Sequence, residues 1–299
     1  MIPAVFGFVL GAVLGSFIQA TAGRIISGKT LRGRSYCLSC KHTLRWYDLF
    51  PVLSYLTLRG RCRYCHKRIP VEDFLVEIII ATVYALLFWV NVPQSIIYNF
   101  QPGLSFTLFL LDLIFKVFIT GIFALVFLID LKSGLIPNVV TYPSTVITIV
   151  YLLVSNLVKT LSFYQGFRGS PLAKYLMPPE SSYVYDHLLR IWTPLAWTSI
   201  AAVTITLIFV LLIVVTKGRG MGWGDVKYVF LLGLALGFPD IIPAIFIAFL
   251  SGAVFSLFLI LLRKKTFGQT VPFGPFLSLG AIIALLFGTQ IIRIYIGIF

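Results

Sequence analysis

A chain of 299 residues that is 59% hydrophobic, only 11% charged and has a mean hydropathy of +0.98 cannot dress itself in the polar surface of a soluble domain. Its formal charge of +14 excludes an acidic surface and leaves two uses for the excess, membrane topology or nucleic acid. The expected fold is an all-α polytopic membrane protein of about eight transmembrane helices with a small cytoplasmic zinc-ribbon-like loop.

A span needs roughly 20 apolar residues to cross about 30 Å of hydrocarbon. Eight stretches are candidates: 2–22, 74–92, 105–130, 137–158, 193–216, 226–238, 240–262 and 275–297, of which 226–238 is short. The first resembles a signal peptide only in length. No basic residue precedes its apolar run, so 1–22 reads as a retained span with its N-terminus outside.

Segment 23–72 follows as a separate unit with 11 Lys and Arg. It holds all four cysteines, in two C-x-x-C pairs: Cys37 and Cys40, then Cys62 and Cys65. Two such knuckles can place four thiolates tetrahedrally around one Zn²⁺. Four thiolates close the coordination sphere, which makes the metal structural rather than catalytic. Topology puts the cysteines in a reducing compartment, against a disulfide. His66 is a ligand by type, but four cysteines leave it a bystander.

The body, 73–299, carries few acidic residues, and intramembrane carboxylates are costly. Glu77 lies just inside the second span, either facing the bundle or snorkelling to the interface. Asp112 and Lys116, at i and i+4 on one face, read as an ion pair. Asp130 ends the third span in Ile129-Asp130-Leu131-Lys132-Ser133-Gly134-Leu135-Ile136-Pro137-Asn138. Residues 159–192 read as an outer loop with room for a short surface helix, with Gly166, Gly169, Pro171, Pro178, Pro179 and the aromatics Phe163, Tyr164 and Tyr185. Asp225 closes a run with Gly218, Gly220, Gly222 and Gly224 and opens the sixth span, followed by Lys227. Alternating glycines break helix and let backbone or a peptide approach closely. Pro239 and Pro243 mark the turn between the two least secure spans.

The basic residues of 23–72, Lys132, Lys217, Arg219, Lys227 and Arg263 to Lys265 fall on one side if the N-terminus is outside, 18 of 24 in all. Loop 93–104 has none. The excess therefore reads as topology, with no nucleic acid partner required; the bilayer is the partner. Asp130 and Asp225 then share the cytoplasmic membrane edge, 95 residues apart in sequence. An aspartate capping an ordinary turn is the plain alternative for either. As a pair they can share a proton: the ionised carboxylate activates water and the protonated one polarises a peptide carbonyl. No G-x-S-x-G or H-E-x-x-H motif competes, and His42, His66 and His187 all lie outside the spans.

Several separated motifs, in order, resemble the type IV prepilin peptidases, also called leader peptidase/N-methyltransferases, a family of GxGD-type aspartyl proteases. Gly11 to Phe17 is similar to their G-x-x-x-G-S-F opening. The tetracysteine loop with Asp48 to Tyr55, Leu58 to Cys65 and Glu77 is similar almost throughout. Asp130 to Asn138 resembles their first catalytic motif, Gly222 to Lys227 the GxGD signature, and Val271 to Phe276 their P-F-G-P segment. Leu38, Gln19 to Gly23, Asn138 and the length of 159–192 depart from the pattern. The resemblance implies Asp130 and Asp225 as the catalytic pair, with Gly222, Gly224, Lys227 and Glu77 as further site candidates. It implies cleavage of the short basic leader of type IV prepilins, or of the pseudopilins of type II secretion, at the inner face of the bacterial plasma membrane. N-methylation of the new terminus from S-adenosylmethionine would follow, through residues that no motif here identifies. A transporter using Asp112, Asp130 and Asp225, a zinc-ribbon membrane adaptor, and a GxGD protease of the presenilin or signal-peptide-peptidase type are the rival readings.

Overall fold

The computed structural model describes every residue except 31–32, 38, 94–102, 169–174, 176–180, 219–220, 263–270 and 299. Its helices are α1 (Ile2–Ile26), α2 (Leu53–Thr57), α3 (Val71–Asn91), α4 (Leu104–Ser133), α5 (Asn138–Arg168), α6 (Tyr183–Val215), α7 (Trp223–Leu236), α8 (Ile241–Leu261) and α9 (Gly274–Ile298). Two isolated β-bridges are the only extended pairing among the described residues.

Among the described residues, seven helices are long and apolar enough to cross a membrane. The eighth expected span is α7, whose 14 residues cover about 21 Å, well short of the hydrocarbon thickness. Eight of those residues are buried, so α7 is held by the bundle rather than by lipid. α4 and α9 are the most enclosed of the long helices, while α5 and α8 face mostly outward. α4 forms the spine of the core through Phe115, Ile119, Phe123 and Val126, packed with Tyr84, Tyr228 and Leu277.

α1 lies against α3 through Gly7, Gly11 and Gly15, spaced one turn apart on one face. A β-carbon at Gly11 would lie 2.8 Å from Ala81 Cα, and one at Gly7 2.5 Å from the Tyr84 carbonyl oxygen. Between helices in lipid, where burial gives little drive, such small residues let backbones meet at van der Waals distance.

The stretch 159–192 is not a loop throughout. Residues up to Arg168 continue α5, and those from Tyr183 begin α6. The 31 and 33 residues of these helices exceed what a bilayer needs. Their overhang is tied by rings: Phe163 stacks on His187 at 4.1 Å, and Phe167 faces Tyr183 at 6.1 Å. Composition suggested a loop because Gly and Pro recur there. The aromatic contacts outweigh that weak local preference. Gly169, Pro171, Pro178 and Pro179 lie outside the described residues.

α4 ends on Gly134 in the left-handed conformation (φ 66°), whose N–H bonds the Asp130 carbonyl at 2.8 Å. Pro137 then starts α5, its carbonyl accepting from the N–H groups of Val140 and Thr141. At the far end of α7 a cavity of about 330 Å³ opens, bordered by Asp112, Lys116, Tyr151 and Asp240.

Replacing Gly11 with Leu should destabilise the protein by about 1–3 kcal/mol through overpacking. Gly23→Ala, where no atom lies within 4 Å of the added carbon, should be neutral. Thermal melting in detergent checks both.

Candidate active site

Asp130 sits in the last turn of α4, and Asp225 in the first turn of α7. Both are nearly buried, 4% and 8% exposed, and both line one cavity of about 520 Å³ at the same end of the bundle. They come from separate helices and border that one space together. Sequence separation is overcome by two close approaches. A β-carbon at Gly224 would stand 3.3 Å from Ile136 Cβ, so the missing side chain lets the α4–α5 turn seat on the start of α7. A β-carbon at Gly274, the first residue of α9, would stand 2.5 Å from Asp130 Oδ2.

Asp225 Oδ2 accepts the Gly222 N–H at 3.0 Å, and the Asp225 N–H bonds the Gly222 carbonyl at 3.1 Å. Asp225 is thus a helix cap and a cavity residue together, which leaves Oδ1 free of that bond. Asp130 Oδ2 is buried and makes no hydrogen bond of ordinary geometry among the described residues, although the Gly274 N–H is directed at this carboxylate. A buried carboxylate oxygen left without a well-aligned donor is costly unless something enters to meet it.

Lys227, two residues beyond Asp225, donates to Asn138 Oδ1 at 3.1 Å and lies over the Tyr142 ring at 5.2 Å. Lys227 and Asn138 both border the cavity. They tie α7 to α5 a second time. Val271, Pro272 and Phe273 complete the wall, and Phe273 packs against Phe249 at 5.0 Å. Sequence reasoning missed Ile136 and Gly274 as site residues. The signal available was a glycine at a helix start between Phe273 and Pro275, where ordinary helix formers would serve better.

Asp112 and Glu77 lie apart from this cavity. Asp112 pairs with Lys116 at 2.9 Å and accepts the Tyr151 hydroxyl at 3.1 Å, as an intrahelical pair should. Among the described residues Glu77 meets neither a cation nor the aspartates. Its Oε2 accepts the Val52 N–H at 2.9 Å, with Val52 held at φ 62°. The reason is local: Val52 turns the loop at the depth of Glu77, and its N–H needs an acceptor there.

The four cysteine sulfurs lie within 4.8 Å of one another, and Cys37 and Cys65 are 3.9 Å apart. A tetrahedral zinc with bonds near 2.3 Å requires sulfurs about 3.8 Å apart. The two knuckles are built alike. The Cys37 and Cys62 N–H groups bond the carbonyls of His42 and Lys67, both at 2.9 Å. Lys41 and His66 each turn back in the left-handed region and donate to Cys37 and Cys62. The Cys40 N–H directed at Cys37 lowers that thiol to about 6, as a metal ligand needs. His66 is exposed and outside the sulfur cluster. Asp48 braces the loop by accepting from Arg63 at 2.8 Å and Tyr64 at 3.0 Å. Burial alone would raise its carboxyl, but the Arg45 N–H, Arg63 and Tyr64 hold it below the ordinary value.

The chain is similar to known proteins over most of its length. Residues 9–91 match the Bacterial Peptidase A24 N-terminal domain, and residues 183–257 match the Type IV leader peptidase family. A prepilin leader peptidase/N-methyltransferase of Aeromonas salmonicida (strain A449) is 30% identical over 264 residues, 88% of this chain and 75% of the relative. The chain belongs to the prepilin leader peptidase/N-methyltransferase family. Family members of the same name in Bacillus subtilis (strain 168) and Burkholderia pseudomallei (strain K96243) are 26% and 27% identical. They align over 97% and 95% of this chain, and 96% and 85% of their own. No solved structure matches it significantly. Within the family's two matched segments lie the four cysteines and Asp225; Asp130 falls between them, where only the longer pairwise alignments reach.

Metal analysis of the purified protein should find about one zinc per chain. Cys62→Ser should abolish it and open segment 23–72 to proteolysis, because a loop this short depends on its metal for order.

Proposed function

We propose that this protein removes the leader peptide of type IV prepilins by an aspartate pair, Asp130 and Asp225. The observation that carries the reading is the shared cavity, in which two nearly buried carboxylates from separate helices border one space. The reaction is hydrolysis. The ionised carboxylate takes a proton from water as the water oxygen attacks the scissile carbonyl carbon. The protonated carboxyl donates a hydrogen bond to the carbonyl oxygen, and collapse of the tetrahedral intermediate breaks the C–N bond as the leaving amine takes a proton. Asp225, fixed through one oxygen by the Gly222 N–H, keeps its other oxygen for this work.

The orientation follows from charge. Helix alternation groups the tetracysteine loop, Asp130, Asp225 and the start of α9 at one end of the bundle, and 13 of the 18 described basic residues lie at that end. The positive-inside rule makes it cytoplasmic, with the N-terminus outside and the protein in the bacterial plasma membrane. A basic leader would reach the pair from that side, while the apolar pilin helix stays in lipid. Pseudopilins present the same chemistry.

The second half of the family name implies methyl transfer to the newly exposed α-amine. S-adenosylmethionine, when bound, supplies an electrophilic methyl group. This chain's part is to present the freed amine unprotonated. The tetracysteine site takes no step in either reaction, since four thiolates leave a bound zinc no open position. A cation path through Asp112 loses its support, because that carboxylate is committed to Lys116 and Tyr151 at the other end of α4.

Purified protein incubated with a prepilin should cleave it. Asp130→Asn and Asp225→Asn should each lower the rate at least about a hundredfold, and retained cleavage by either would reject the pair. Mass analysis of the product should show one added methyl group only when S-adenosylmethionine is present. Gly274→Ala pushes a methyl against Asp130 and should cost roughly 10- to 100-fold in rate through misplacement, with melting unchanged.

A further inference from the structure

The segment between the two cysteine knuckles carries a stripe of large apolar side chains that the protein does not cover. Trp46 is 74% exposed, Leu49 40%, Phe50 49%, Leu53 61% and Leu56 56%. Within the 3₁₀ turn Trp46 and Leu49 share a side, and within α2 Leu53 and Leu56 do, with Phe50 exposed between the two elements. The opposite side is bound to the bundle. Tyr55 stacks on Phe74 of α3 at 4.5 Å, and the Val52 N–H bonds Glu77 Oε2.

Those two contacts fix the depth of the segment. Glu77 is the seventh residue of α3, about 9 Å along the helix from its start. Phe74 and Glu77 stand where the polar turn Glu72–Asp73 gives way to the apolar run of the span. The stripe is therefore level with the first two turns of a transmembrane helix, not out in solvent. Positive charge accompanies it: the Arg63 guanidinium lies 5.1 Å from the Tyr47 ring, and Tyr47 touches Trp46 edge-on at 5.7 Å. Arg45, Arg59 and Arg61 are exposed beside the stripe in sequence.

A short amphipathic element with aromatic and leucine side chains on one face and arginines beside it has the make-up of an interfacial anchor. We infer that residues 46–56 lie in the headgroup and acyl boundary of the bilayer, with Trp46, Phe50, Leu53 and Leu56 among the lipid chains and the arginines at anionic headgroups. The tetracysteine loop is then a membrane-seated platform rather than a free soluble domain. A second protein or a second copy of the chain is the competing occupant of the stripe.

The test uses the full-length protein in lipid nanodiscs, with Trp89, Trp192, Trp197 and Trp223 replaced by Phe so that Trp46 alone emits. Phosphatidylcholine brominated near the carboxyl end of its chains is the lipid probe, and acrylamide the aqueous one. Trp46 should lose most of its emission to the brominated lipid and be largely shielded from acrylamide. Quenching by acrylamide with no effect of bromine would overturn the inference. Shielding from both would overturn it too, in favour of a protein cover. Should the fourfold variant fail to fold, the difference in bromine quenching between the unaltered protein and Trp46→Phe reads the same quantity. An absent difference rejects the inference. Leu53→Asp with Leu56→Asp should raise acrylamide access to Trp46, an effect that a solvent-facing stripe would not show.

Discussion

The site depends on two pieces of non-helical backbone meeting at the depth where a membrane begins. Backbone there is tolerated only if protein covers it. The α4–α5 turn and the approach to α7 cover one another, and they do so because Gly224 presents no side chain to Ile136. Lys227 on Asn138 fastens the same pair of elements a few residues further on. Asp130 and Asp225 inherit their proximity from this docking and need no contact of their own. That is an economical way to hold like charges together, since the packing that opposes their repulsion is located elsewhere.

The rest of the bundle supports this junction at a distance. α1 and α3 pair through glycines, and that pair presents Glu77 to the tetracysteine loop. The loop is therefore fixed to the bundle at Val52 and Tyr55, between its two knuckles, as well as at its ends. Metal at the cysteines would bring the two knuckles together, and the contacts to α3 set where the closed unit sits. Asp48, gripped by Arg63, Tyr64 and the Arg45 N–H, couples the middle of the loop to the second knuckle.

Much of this was legible in the sequence, and the exceptions have physical causes. Apolar runs revealed the spans because lipid enforces composition directly. The C-x-x-C pairs revealed the metal cluster because ligand spacing is short-range. Asp130 and Asp225 stood out because carboxylates are rare in so apolar a chain. What escaped was set by tertiary contact. The partner of Glu77 is a backbone N–H with no signature of its own. Gly274 matters through an atom on another helix. The 159–192 stretch looked like a loop, yet rings at Phe163, Phe167, Tyr183 and His187 extend both helices past the point where hydropathy stops being informative. Residues 226–238 read as a span, and nothing local revealed that α7 would stop short of one and be buried by its neighbours.

The shortness of α7 has a consequence for how the surrounding lipid is met. Seven helices present a full-thickness apolar wall, whereas the helix among them ends early and is bordered by polar space at either tip. The protein along α7 is therefore thinner than the wall around it, with a polar cavity at each end of the helix. A peptide bond brought to the Asp130 and Asp225 end of so short a helix would stay close to the lipid that holds its own anchor, so a membrane-anchored substrate would not have to be lifted out to be cut.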